Sequence, residues 1–376
     1  MAVKNPFKPT AGARPPLLIG RADMRQDFAE SIENGPGAPG LLSIFTGPRG
    51  IGKTVMLGEI EDEALEHGWI VISETATAGL VTRIGSAVRA AAEELGDGPM
   101  GRRITGVTLG VIRVDTQLPP VPEIHWRRQI TELLEKLNTQ ETGLLLSIDE
   151  IHAVDRTELS EIAAVVQHLI RENLPIGLVL AGLPKAVEDL LNEGVSTFLR
   201  RAEKYDLHRT SIDEVTEAFR DTFSESGVSI SEGHLRQLAE ATGGYPFLIQ
   251  LVGYHVWSQA RNAGAVTDRA LAAGIQKARR RMGATVLQSA YSALSDVDQS
   301  YLLAMAEDDG PSSTTTIAER LGVNLVYGGQ YRLRLLAAGV IETTSRGYVD
   351  FAVPTFREFL RDSPAYGLRL QHPRHS

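Results

Sequence analysis

Cysteine is absent from the 376 residues. That excludes disulfides, Cys-ligated zinc, iron–sulfur clusters and thiol catalysis. Long apolar runs are missing as well. The longest, such as Gly177–Leu183, fall far short of the roughly 20 residues of a membrane helix, so no membrane association is expected. Residues 1–20 hold four prolines and no apolar core segment, so no signal peptide is expected and a cytoplasmic location is. The nine histidines show no H-E-x-x-H spacing, which argues against zinc. No G-x-S-x-G elbow occurs, which argues against a serine hydrolase. Positive charge is in short supply, with 38 Lys+Arg against 47 Asp+Glu and a net charge of −9. Such a balance disfavours indiscriminate coating of nucleic acid. The deficit is uneven: residues 270–376 carry +2 and the rest −11, which permits a DNA-contacting C-terminal module without requiring one.

What is present reads as a globular chain of two or three domains. Residues 1–16 form a proline-containing arm, expected to be extended. Apolar runs bounded by turn residues predict buried strands at Leu41–Thr46, Trp69–Ser73, Gly143–Ile148 and Ile176–Ala181. Helices are expected at Ala22–Glu33, from Lys53 to about Glu66, at Leu80–Leu95, at Pro122–Gln140, from Asp155 to about Glu172, and at Pro184–Asn192. Gly96–Pro122 is poorly legible, with a hairpin expected around Val107–Val114. This βα alternation predicts an α/β fold, a mostly parallel sheet with helices on both faces. From Ser211, which makes a capping box with Glu214, the pattern turns almost wholly helical to Arg281. A third unit of three helices and short strands is expected from about Ala290 to Arg361.

Gly47-Pro48-Arg49-Gly50-Ile51-Gly52-Lys53-Thr54 fits G-x-x-x-x-G-K-[ST], the Walker A pattern, between a predicted strand and a predicted helix. Glycines let backbone N–H groups turn inward around phosphate oxygens. The following helix, which continues through Val55, adds the positive end of its dipole. Lys53 would reach the β- and γ-phosphates of ATP, and the Thr54 hydroxyl would ligate Mg²⁺. Leu144–Ile148 then runs into Asp149-Glu150. Two carboxylates at the carboxyl edge of a buried strand suit Asp149 to hold Mg²⁺ and Glu150 to polarise an attacking water. His152 is expected to order that loop.

With these motifs, the chain resembles the AAA+ superfamily. Pro16–Arg21 ahead of a helix, Gly182-Leu183-Pro184 after a strand, and Gly243-Gly244-Tyr245-Pro246-Phe247-Leu248 are similar to its replication-initiator (origin-recognition) and STAND-type branches. The resemblance implies a P-loop NTPase core over residues 17–210, an α-helical lid over 211–285, a winged helix-turn-helix domain over 286–364 and a tail over 365–376. It implies that Ile19, Gly20 and Arg21 line the adenine pocket and that Tyr245 and Pro246 pack near the base. It also places an arginine finger at Arg200 or Arg201, just before a strand at Tyr205–Leu207, often serving a neighbouring subunit and hence a homo-oligomer in the ATP state; a surface pair with Glu203 is the alternative. A polar sensor expected after the fourth strand is replaced by Gly182. The lid carries Gly-Gly-Tyr-Pro in place of a sensor arginine. Both departures imply slow hydrolysis and a switch rather than a fast motor.

In the C-terminal module, Ser295 caps one predicted helix, and Thr316 with Glu319 caps a second ending at Gly322. A third carries Leu333, Leu336, Ala337 and Val340 on one face, followed by a hairpin at Ile341–Val349. This is the order of a winged helix. If it contacts double-stranded DNA, Gln330 and Arg334, flanked by Tyr331 and Arg332, would face the groove, with Arg346 on the wing. Docking of a protein partner is the competing expectation. Lys277-Ala278-Arg279-Arg280-Arg281 is a basic run most simply read as a solvated helix face.

Overall fold

The structure, a computed structural model, describes residues 4–10, 19–96, 126–192 and 198–371. The hairpin expected around Val107–Val114 lies outside the described residues. The chain divides into two compact units: residues 21–46 with 53–207, and residues 1–20, 47–52 and 208–376.

The first of these is built on a five-stranded parallel sheet. Its strands are β1 (Leu42–Thr46), β2 (Ile70–Thr75), β3 (Leu144–Asp149), β4 (Ile176–Gly182) and β5 (Glu203–Asp206), in the order β2-β3-β4-β1-β5. The helices are α1 (Ala22–Asn34), α2 (Lys53–Glu66), α3 (Leu80–Gly96), α4 (Trp126–Asn138), α5 (Arg156–Arg171) and α6 (Pro184–Asn192). β1, β3 and β4 are buried on both faces apart from the final Asp149, as near-continuous Leu/Ile/Val runs require. The expected α/β P-loop architecture is therefore present. β2 runs two residues beyond its predicted end because it pairs with β3 residue for residue from Ile70–Leu144 to Thr75–Asp149. β5 starts two residues early, since Glu203–Asp206 pairs with Ser43–Thr46. Its polar, exposed residues suit an edge strand and give no apolar signal. Glu61 of α2 accepts hydrogen bonds from the Ser73 and Ser147 hydroxyls, both at 2.6 Å, fixing α2 against β2 and β3.

The second unit is mainly helical, with α7 (Ile212–Glu225), α8 (Glu232–Thr242), α9 (Pro246–Ala260) and α10 (Asp268–Met282). The predicted capping box closes: Ser211 accepts from the Glu214 N–H, and Glu214 accepts from the Ser211 N–H. A π-helical turn, Gly283–Leu287, leads from α10 directly into α11 (Gln288–Ser292). The N-terminal arm packs here. Phe7 is buried against Phe219 and Phe223 of α7, and Asn5 donates to the Tyr254 carbonyl of α9 at 3.0 Å.

The C-terminal part of this unit runs α12 (Asp296–Met305), β6 (Ser312–Ser313), α13 (Thr314–Leu321), α14 (Leu325–Ala337), β7 (Ile341–Ser345), β8 (Tyr348–Phe351), α15 (Phe356–Arg361) and α16 (Pro364–Gln371), with an antiparallel sheet β6-β8-β7. Two expectations are corrected. α13 opens at Thr314, two residues before the predicted cap at Thr316, because Ser312–Ser313 pairs with β8 and the Thr314 N–H bonds Gly347. The packed face of α14 runs through Leu335, fully buried, whereas Leu333 is 51% exposed.

Candidate functional site

The Walker A residues fold as strand, loop and helix. Gly50 and Gly52 adopt φ of +73° and +94°, the left-handed region that favours glycine. Gly50 carries a second constraint, since a Cβ there would meet the Tyr245 hydroxyl at 2.5 Å. Residues 47–52 belong to the helical unit and Lys53 opens α2 in the sheet unit. Lys53 is buried at 5% exposure, while Thr54 is exposed and Val55 half-buried.

The Thr54 hydroxyl donates to Asp149 Oδ2 at 2.5 Å across 95 positions of sequence. The other carboxylate oxygen, Oδ1, accepts from the Glu150 N–H at 2.7 Å. Register places Thr75 beside Asp149, and the Ala76 N–H donates to the Asp149 carbonyl at 2.8 Å. Glu150 sits at φ +56°, uncommon for a residue with a side chain. Its Oε2 lies 3.0 Å from His152 Nε2. His152, expected to order that loop, therefore lies against the Glu150 side chain.

The residue after Glu150 is packed against the end of β4. This residue, Ile151, is buried, and a Cβ at Gly182 would come within 2.4 Å of Ile151 Cγ1. The end of β4 is thus closely packed against the Ile151 side chain, with no room for a Cβ unless that side chain shifts. The opening of α5 differs in one respect from a reciprocal capping box. Asp155 caps the Thr157 N–H, but Glu158 reaches across to the N–H groups of Gly79 and Val81, both at 3.0 Å. Arg83 ties the same loop by donating to Glu74, Ala78 O and Thr75 O. Ile151, Glu158, Arg83 and Thr75 escape a linear reading because their partners are set by strand register and helix packing.

The remaining residues singled out in the sequence fall in both units. Ile19 is half-buried and Gly20 lies against the Glu214 carboxylate, both in the helical unit. Arg21 belongs to the sheet unit; it is 6% exposed, and burial lowers its pKa to about 10. Arg200 donates to the carbonyls of Leu191 and Asn192 at 2.7 and 3.3 Å, closing the end of α6. Arg201 is exposed, and among the described residues its side chain has no ion-pair partner, Glu203 included. Tyr245 is fully buried, with its phenol pKa pushed up by that burial, and Pro246 is the first residue of α9.

In the C-terminal part, Arg334 makes a two-pronged pair with Asp298 at 2.7 and 3.1 Å. Its guanidinium is therefore committed inside the module. Gln330 and Arg346 are exposed, and Tyr331 and Arg332 half-buried. The exposed start of α14 presents Leu325, Val326 and Tyr327.

A hydroxyl and a carboxylate oxygen in contact are hard donors of the kind Mg²⁺ takes when it keeps several waters. Among the described residues no group of three or more His, Asp or Glu could hold a metal ion. The donor set thus fits Mg²⁺.

Residues 17–180 match the AAA ATPase domain family, and residues 284–360 match a domain of unknown function. No curated protein matches the chain. Among solved structures, the chain is similar in fold to the Walker-type ATPase PABY2304 of Pyrococcus abyssi, at 16% identity and TM-score 0.65, covering 93% of this chain and 97% of that one. It is likewise similar to the ORC2 protein of Aeropyrum pernix, solved as ADPNP–ADP complexes, at 14% identity and TM-score 0.63, covering 96% and 98%. No helix among the described residues is long and apolar enough to cross a membrane.

Proposed function

Because the chain carries an AAA ATPase domain, we propose that it is a Mg-ATP-dependent switch with slow hydrolysis. The observation that carries this reading is the 2.5 Å contact between Thr54 Oγ1 and Asp149 Oδ2, which joins the phosphate loop's helix to the acidic strand. Bound Mg²⁺ would supply charge neutralisation on the phosphates. Thr54 and Asp149 hold it. The loop amides of residues 47–52 and Lys53 bind phosphate oxygens. Glu150, steadied by His152, orients the attacking water and accepts its proton. With Arg200 spent on α6, Arg201 is the cation available to a neighbouring subunit in an ATP-bound homo-oligomer. Ile151 filling the space beside Gly182 supports slow turnover. Residues 17–210 serve as core, 211–285 as lid and 286–364 as a winged helix that the lid repositions.

A second reading is ATP-driven assembly in which the C-terminal module docks a protein. The exposed Leu325, Val326 and Tyr327, together with the internal engagement of Arg334, favour it over base reading by α14.

The test is calorimetric titration with ATP in Mg²⁺ or chelator, alongside steady-state hydrolysis. Lys53→Ala and Asp149→Asn are expected to abolish tight Mg-ATP binding. Glu150→Gln is expected to keep binding and lose about 10²-fold or more of turnover. Binding unaffected by Lys53→Ala, or turnover well above the enzyme median of about 10 per second, would overturn the reading.

A further inference from the structure

We propose that the exposed surface of α10 binds the phosphate backbone of duplex nucleic acid through Lys277, Arg279, Arg280 and Arg281. From Arg269 to Ser295 the sequence holds five cations and no acid, in a chain of net charge −9. All four named side chains are exposed, and among the described residues none makes an ion pair or a side-chain hydrogen bond. Four arginines of the C-terminal module behave differently: Arg320, Arg334, Arg357 and Arg361 are paired with Asp308, Asp298, Asp350 and Asp309.

The helix dipole does not account for the cluster. Cations in a last turn ordinarily answer free C-terminal carbonyls. Here the helix continues through the π-helical turn to Ser292, and the Gly283 N–H bonds the Arg279 and Arg280 carbonyls. Arg279–Arg281 therefore lie mid-rod. Lys277 and Arg281 are like charges four residues apart, an arrangement that mildly destabilises a helix. They also help, after burial, to lower the pKa of His255 on α9, so a positive field reaches the neighbouring helix. The opposite face of α10 is occupied: Leu271, Gly274, Ala278 and Met282 are buried.

Charge complementarity selects the occupant. Four unanswered cations on about one and a half turns fit a polyanion with regularly spaced charges. α10 has no aromatic residue, so it offers no stacking platform for single strands. Its exposed residues include no large apolar side chain, which a helix seated on a membrane surface would need. Backbone contact without base readout is the chemistry left. The inference is independent of the ATPase reading.

The experiment is fluorescence anisotropy of a labelled mixed-sequence duplex of about 30 base pairs with the full chain, over about 50–200 mM salt. Four phosphate contacts predict a log–log salt slope near −3.6, a weakening of about 150-fold over that range. The quadruple Lys277→Gln, Arg279→Gln, Arg280→Gln, Arg281→Gln variant is expected to lose that slope while its circular dichroism and thermal midpoint stay within a few degrees. Arg280→Glu alone is expected to weaken binding about tenfold at low salt, and gives a second reading should the quadruple variant unfold. Arg128→Gln, at an exposed position of α4, is expected to leave the slope intact. A quadruple or Arg280→Glu variant with wild-type affinity and slope would overturn the proposal. So would capture by phosphatidylserine vesicles with no duplex binding.

Discussion

The phenol of Tyr245 donates a hydrogen bond to the backbone carbonyl of Arg49, inside the phosphate loop. Tyr245 precedes the first residue of α9, and its ring end lies against Gly50. Within the helical unit, the Gly243-Gly244-Tyr245-Pro246 turn therefore supports the loop's backbone. Tyr245→Phe keeps the ring and orphans one carbonyl. It is expected to lower stability by about 1 kcal/mol and ATP affinity severalfold. Urea denaturation and nucleotide titration check this; an unchanged affinity would remove Tyr245 as a support of the loop.

Gly182→Ala would place a methyl 2.4 Å from Ile151 Cγ1. Overpacking of this kind costs about 1–3 kcal/mol, and here the loop that carries Glu150 would have to move. Hydrolysis is expected to fall more than ATP binding. Adding Ile151→Val should restore part of both, and a double-mutant cycle measures the coupling.

Asp298 is 5% exposed, and Arg334 neutralises it from a half-exposed position. Arg334→Ala leaves that carboxylate buried without a counter-charge, held, among the described residues, only by the Ser295 hydroxyl at 2.7 Å. A loss of about 1–3 kcal/mol is expected, and the Asp298→Asn, Arg334→Ala double variant should recover much of it. If Arg334→Ala left the melting curve unchanged, the pair would have no structural weight.

Phe7 is 4% exposed and meets both Phe219 and Phe223. Phe7→Ala is expected to cost about 3–5 kcal/mol and to make the arm cleavable by protease. Limited proteolysis followed by mass determination reads both effects.

The His255 imidazole is held below its ordinary pKa by burial, and further by Lys277 and Arg281. As pH falls through about 6.5 the unfolded chain takes up a proton that the folded chain refuses. Stability is therefore full above about pH 7 and declines on acidification, until folded His255 itself protonates. His255→Gln should flatten the curve of denaturation midpoint against pH in that window.

The strands, the helices between them and the Walker A and acidic motifs were legible because each rests on local patterning: apolar runs, glycine placement, caps at Ser211 and Ser295. β5 was half legible, since an edge strand of Glu203, Lys204 and Asp206 has no apolar alternation. The burial face of α14 was misread because Leu333 and Leu335 differ only in which neighbour they meet. The pairing of the outward-facing Arg334 was not legible, because Asp298, 36 residues upstream, is invisible to helical spacing. The Thr54–Asp149 contact followed from motif chemistry, whereas the Ile151–Gly182 packing required two chain segments to be seen side by side.

That packing carries a historical implication. In descendants of the same ancestor, a serine, threonine or asparagine at the position of Gly182 has no room unless the residue after the acidic pair shrinks from isoleucine. The two positions are expected to have been exchanged together, so that lineages with a small residue beside the glutamate carry the polar group and lineages with a branched one keep glycine.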